Sequence, residues 1–293
     1  MRDRKLELKI FIIIISLYIL IVIWGILFAN RLETLFYDPP LTPEEWCQEH
    51  PCLTLNIFGI IVTLAVPTST FFVYLLSVET AIVGIFIIIR SNENKSQLWW
   101  GIALILWGLG TLFAGTSYQA FSYELKCANR TFCIWTTWFE IMYLISSVGS
   151  INAMVIAQKY SCLPEKYHHI ANIYAIGNFS LYSIITLIGA YLPIRFLISF
   201  ELMILFLAPN ILIFLILNSW RYVRHKKRMD RNLMVIWCSL IIIIGLYFLY
   251  YSLGITEFFW QFGFWFSAND ILHIGLIIWM VSIYFTVNTL IED

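Results

Sequence analysis

Seven separate stretches of this chain are each apolar enough to cross a bilayer, and an eighth lies at the N-terminus. A hydrocarbon core of about 30 Å takes about 20 apolar residues per helix. The spans read near residues 10–29, 70–90, 98–120, 136–157, 170–191, 196–218, 233–253 and 264–286. They occupy most of the 293 residues, so no soluble domain of useful size remains. Only 12% of the residues are charged, against about 25% in a soluble domain. The sequence therefore predicts an all-α fold, a polytopic transmembrane helical bundle of about eight spans in a single domain. Its parts are an anchor helix at 10–29, an outer loop at 30–69 and a seven-helix core at 70–286.

The first span follows a basic N-terminus (Arg2, Arg4, Lys5, Lys9). Its apolar run of about 19 residues is longer than a signal-peptide core, and no Ala-x-Ala site follows, which favours a retained anchor. Residues 53–90 form an apolar run too long for one helix, interrupted at Pro67-Thr68-Ser69-Thr70. Two tightly turned spans there would invert everything downstream. The expectation is instead an interfacial or re-entrant helix at 53–66, then a full span.

Charge sets the orientation, because cytoplasmic loops are enriched in Lys and Arg. With the N-terminus inside, 14 of the 18 basic residues fall inside, including the run Arg221 to Arg231. Four fall outside: Arg31, Lys126, Arg130 and Arg195. Both termini are then cytoplasmic. Cysteine usage agrees: Cys47, Cys52, Cys127 and Cys133 all land outside, where disulfides persist. The local pairings Cys47–Cys52 and Cys127–Cys133 are favoured among three possible connectivities. The sequon at Asn129 is also outside, open to glycosylation in a eukaryotic or archaeal source, whereas that at Asn178 lies within a span. Trp99, Trp100, Trp135, Trp138, Trp220, Trp260 and Trp265 fall near span ends, as interfacial aromatics do.

Ionisable groups inside a bilayer are costly, at least about 2.5–3.5 kcal/mol each, and are therefore functional candidates. Here they are Glu79, Glu140, Glu201, Asp270 and His273, with Ser117, Gln119, Ser122, Glu124 and Asn269 as polar neighbours. All fall in the outer half of their spans, as a polar pocket open to the outer side requires. Asn269 and Asp270 stand four and three residues before His273, on one helix face. No lysine is available within a span for a Schiff base. No Gly-rich phosphate loop, His-Glu-x-x-His, Gly-x-Ser-x-Gly or Cys-x-x-Cys occurs.

The order and depth of these groups resembles the superfamily of alkaline ceramidases and progestin/adiponectin-type receptors. Glu79 falls in the first core span, and Gly115-Thr116-Ser117-Tyr118-Gln119 ends the second, where that family carries Ser-x-x-x-His. Glu140 opens the third, and Asn269-x-x-x-His273 stands in place of paired histidines in the last. The resemblance implies a seven-helix intramembrane zinc hydrolase of lipid amides. Of the three histidine ligands it implies, only His273 is present. A zinc site would then need Asp270 or Glu140 beside it, since zinc takes Cys, His and carboxylate ligands.

Three functions follow as expectations. The first is a receptor-like, sensing or subunit protein binding a small or lipid-like ligand through Glu79, Gln119, Glu124, Glu140, Asn269, Asp270 and His273. The second is a metal-dependent hydrolase of lipid amides or esters, with His273, Asp270 and Glu140 on the metal and Glu79 or Ser117 assisting. The third is a proton-coupled transporter with Glu79 and Glu201 as relay groups; the absence of an internal repeat and of polar groups in the inner half counts against it. The expected partners are membrane lipids, with no nucleic acid.

Overall fold

The computed structural model describes residue 16 and residues 18–293. The basic cluster Arg2 to Lys9 and the start of the expected anchor lie outside the described residues. The remainder of the anchor is helical over residues 18–28 (α1) and tightens into a 3₁₀ turn, Ala29–Thr34. Then come α2 (Pro43–Glu49), β1 (Cys52–Ile57), β2 (Ile60–Ala65), α3 (Pro67–Arg90) and α4 (Lys95–Ala114). A π-helical turn, Gly115–Ala120, leads to α5 (Ser122–Lys126). The rest is α6 (Trp138–Cys162), α7 (His168–Tyr191), α8 (Phe200–His225), α9 (Arg228–Ser252), α10 (Ile255–Gln261) and α11 (Ala268–Leu290). Among the described residues, seven helices are long and apolar enough to cross a membrane: α3, α4, α6, α7, α8, α9 and α11.

The expected helix at 53–66 is instead an antiparallel hairpin. Thr54 and Asn56 stand at the two-residue period of a strand, and Thr63 pairs with Thr54 across the hairpin. Phe58 (φ 52°) and Gly59 (φ 85°) occupy its two-residue turn, the pair of positive φ values that matches strand twist in a hairpin. Ile57 pairs with Ile60 and Cys52 with Ala65. Among the described residues the fold is thus helical with one β-hairpin. Pro67 then opens α3, where its missing N–H costs nothing.

Local chemistry fixes the other helix starts. Asn94 accepts from Gln97 N–H at 2.7 Å before α4, Ser199 from Leu202 N–H before α8, and Thr42 with Glu45 forms a capping box on α2. Six long helices close a ring in the order α3, α4, α6, α8, α9, α11, each packed on the next. α7 flanks α6, and α1 packs there through Ile21 and the bond between Tyr18 and Ser146 (2.9 Å). The ring encloses Trp100, Trp237, Trp279, Phe214, Met154 and Leu76, all buried. Trp99 and Trp100 are therefore core residues, 4% and 0% exposed, and not interfacial. Trp220, near the end of α8, and Trp265, before α11, are exposed.

Small residues bring α3 and α4 together. A Cβ on Gly84 would stand 2.8 Å from the Gly101 carbonyl, and one on Gly108 would stand 3.0 Å from the Ser77 carbonyl. Ser77 Oγ uses that proximity to donate to the Gly108 carbonyl at 2.7 Å. Close small-residue contacts with an interhelical hydrogen bond are how helices associate where water is absent.

The two ends of the bundle differ. Both disulfides, Cys47–Cys52 and Cys127–Cys133, lie at one end with α2, the hairpin and α5. Arg90, Lys95, Lys159, Lys166 and the run Arg221 to Arg231 lie at the other.

Candidate functional site: a polar layer at the disulfide end

The groups singled out in the sequence converge on the disulfide end, but they divide into paired and unpaired sets. Glu140, in the first turn of α6, is 2% exposed and forms an ion pair with Lys126 at 2.6 Å. Ser117 donates to one carboxylate oxygen at 2.8 Å and Thr136 to the other at 2.8 Å. Ser117 also bonds Thr137 at 2.6 Å. Lys126 reaches the Trp135 carbonyl at 3.3 Å and the Tyr37 hydroxyl at 3.4 Å. Its ammonium lies 5.0 Å from the Tyr118 ring centre. Burial works against the charge on Lys126, but Glu140 and Tyr37 outweigh it, so its ammonium titrates above the usual range. The sequence places Lys126 only as an outer-loop charge, and the structure turns it inward onto Glu140.

Asp270 is also satisfied. It accepts from the N–H of Ser267, which precedes α11, from Ser69 Oγ at 2.9 Å and from Thr68 Oγ1 at 3.2 Å. Ser69 and Ser267 bond each other at 2.9 Å. One buried carboxylate thus ties the starts of α3 and α11. Asp270→Ala should cost about 2–4 kcal/mol, by orphaning the Ser267 N–H and removing the carboxylate that ties Thr68 and Ser69 to α11. Unfolding in detergent measures it, and Asp270→Asn should recover part of the loss.

Glu124 accepts from Thr63 N–H at 2.7 Å and so secures the hairpin. Ser122 Oγ bonds the Gln119 carbonyl at 2.9 Å. Glu201 is exposed in the first turn of α8, and Asn269 is half-buried. Asn129 is exposed in a left-handed turn (φ 59°), beside the Arg130–Glu33 pair at 2.9 Å.

Three expected groups have buried polar atoms without a hydrogen-bond partner: both oxygens of Glu79, Oε1 of Gln119 and Nδ1 of His273. Gln119 and His273 are 5% and 7% exposed. Ser69 and Asp270 set α3 and α11 level at their starts. Val73 and His273 stand three to four residues further in, about 5–6 Å at 1.5 Å per residue. On the other flank, Val73 lies against Gly115, whose Cβ would stand 2.5 Å away, and Tyr74 bonds Thr116 at 3.2 Å. His273 and the π-helical turn carrying Gln119 therefore flank the same part of α3. Glu79 lies six residues beyond Val73, about 9 Å deeper, near the middle of α3 and below that layer. π-Helical turns cost hydrogen-bond geometry and recur at functional sites.

No group of three or more His, Cys, Asp or Glu side chains able to hold a metal comes together among the described residues. His273, Asp270 and Glu140 do not form the expected ligand set, because Glu140 belongs to Lys126 and Asp270 to the Ser–Thr latch. These donors do not fit a zinc site.

A second polar cluster, missed in the sequence, lies at the basic end. Arg221 pairs with Asp230 at 2.7 Å and donates to the Cys162 carbonyl at 2.6 Å. Asn218 donates to Gln158 at 3.0 Å, and Lys159 to Asn172 at 2.9 Å. The expectation of few polar groups in that half is corrected: Gln158, Lys159, Asn218 and Asp230 are all at most 3% exposed. Asp230 was hidden in the basic run Arg221 to Arg231, which reads equally well as an orientation signal. An open surface groove of about 570 Å³ lies at the disulfide end, lined by Gln48, Glu49, Glu257, Trp260 and Gln261; none of the residues singled out in the sequence as polar candidates lines it.

Residues 68–292 match the model of a family of unknown function, DUF6962. No curated protein and no solved structure gives a match.

Proposed function

We propose that this chain, which belongs to the DUF6962 family of unknown function, is a multi-pass membrane protein that binds a small or lipid-like ligand through Gln119 and His273. The carrying observation is that Oε1 of Gln119 and Nδ1 of His273 are buried without a hydrogen-bond partner, while Glu140, Asp270 and Glu124 nearby are bonded. A buried polar atom left unpaired costs about 1–3 kcal/mol, and a ligand hydroxyl or amide N–H would relieve that cost. The Lys126–Glu140 pair and the Asp270 latch hold the surrounding elements in place, so the site is preorganised on packed helices.

The membrane setting rests on the seven long apolar helices and on their outward faces. Ile82, Ile173, Leu205, Ile216, Ile242 and Ile278 are all exposed on them, an arrangement a bilayer accepts and water does not. The basic end is cytoplasmic in this reading and carries the C-terminus, with α1 as an added anchor and the N-terminus on the same side. The disulfides and Asn129 then face outward, where Asn129 is open to glycosylation.

Mass spectrometry of species that co-purify with the protein in mild detergent tests the ligand. Wild type should retain a hydroxyl- or amide-bearing molecule that the Gln119→Leu/His273→Leu variant loses. The same bound species on both proteins would refute the assignment.

A further inference from the structure

We propose that the β1–β2 hairpin is a membrane-interface anchor whose tip seats in the outer leaflet, at the boundary between headgroups and acyl chains. The proposal rests on the reading that the long helices span a bilayer. Phe58, at the turn, is fully exposed, Ile61 is 68% exposed and Leu53 is 36% exposed. From Pro51 to Val78 the chain contains no Asp, Glu, Lys, Arg or His. A hairpin standing free in water would present an apolar strand edge with no charge to guard it, the arrangement that soluble proteins avoid.

The hairpin's position is fixed by its base. Val66 N–H donates to the Pro51 carbonyl at 2.7 Å, and Pro67 opens α3 directly. The bond from Thr63 N–H to Glu124 holds β2 against α5. A two-stranded ribbon keeps unpaired backbone groups on its edges, which hydrocarbon does not tolerate. The hairpin therefore lies at the boundary, where water still reaches its edge, and inserts side chains only.

A second apolar protrusion lies at the same end of the bundle. α10 and the following residues expose Phe258, Phe262 and Phe264 at 56%, 67% and 67%. This segment leads into the start of α11, which the Ser69–Asp270 bond sets level with the start of α3. Two separate apolar protrusions that flank joined helix starts fit a plane better than the surface of one partner protein. The occupant is therefore the lipid surface.

The test places a nitroxide label at Phe58→Cys in a Cys238→Ser background, since Cys238 is the exposed free thiol and Cys162 is buried. The protein is placed in phosphatidylcholine nanodiscs. Collision rates with oxygen, which partitions into lipid, and with a water-soluble nickel chelate are compared at three labels. Oxygen should win at residue 58 and at Ile82→Cys on α3, and the nickel chelate should win at Asn129→Cys. Ile61→Cys repeats the reading should the turn variant misfold. A lipid-like reading at 82 with a water-like reading at 58 and 61 would overturn the hairpin proposal and leave the spanning helices standing. A water-like reading at 82 would remove the spanning reading itself. Dipolar broadening at 58 that grows with two copies per disc would assign the tip to a second copy and also overturn the proposal.

Discussion

Lys126→Met should lower the stability of the folded protein by about 3–5 kcal/mol, because it leaves the Glu140 carboxylate buried without its counter-charge. Two hydroxyls, from Ser117 and Thr136, remain on that carboxylate, and they do not neutralise it. The double variant Lys126→Met/Glu140→Met should be far milder, since a buried ion pair replaced by apolar groups is often neutral or stabilising. Unfolding of the four proteins of this cycle in detergent isolates the coupling. Additive losses would show that the pair is incidental. The pH dependence has a definite sign. The folded-state ammonium holds its proton above the ordinary value of 10.5. Its contribution is complete below that value and is lost as the pH rises through the raised one. Stability from this pair should therefore be flat across neutral pH and fall only in strong alkali.

Loss of the Cys127–Cys133 bond should cost about 2–3 kcal/mol on chain entropy, given the six-residue separation. Both cysteines are fully buried against Trp46, so cavity formation in a Cys127→Ala/Cys133→Ala variant adds to that cost. The effect should not be independent of the ion pair. Lys126 is the neighbour of Cys127, and the bond fixes the loop from which Lys126 turns inward. Combining the cysteine variant with Lys126→Met should give less than the sum of the two losses. Cys47 and Cys52 are only half-buried, so a mild reductant should open that pair first and leave Cys127–Cys133 intact. Reduction in the opposite order, followed by thiol labelling, would contradict the packing described around Trp46.

Much of this architecture was legible in the sequence because a bilayer-length apolar run is a long-range signal. The seven long helices fall where the runs fall, and both disulfides follow the local spacing. The hairpin was missed because counting apolar residues ignores their period. Thr54 and Asn56 mark a two-residue repeat, Thr63 faces Thr54, and Phe58-Gly59 marks the turn. The site was half-legible for a different reason. Sequence identifies polar groups in a membrane span, but pairing is a tertiary property. Glu140 and Asp270 have the same residue chemistry as an exposed ligand group, and only packing shows that Lys126 and the Ser69–Ser267 hydroxyls consume them. Lys126 was hidden because a lysine outside the apolar runs reads as a solvated charge. Asp230 was masked by the basic run in which Arg221 sits. The expected metal set failed on the same ground, since spacing along α11 says nothing of what faces it.

The most direct measurement is the thermal unfolding midpoint of delipidated protein, with and without added total lipid extract, for wild type and for Gln119→Leu/His273→Leu. Lipid should raise both midpoints, because it covers the outward helix faces and the hairpin in either protein, and should raise that of wild type further. The lipid-free variant should be at least as stable as lipid-free wild type, because two side chains that each bury an unpaired polar atom have become apolar. An equal lipid-induced rise in both proteins, or no rise in wild type, would contradict the claim that Gln119 and His273 are held unpaired for a ligand.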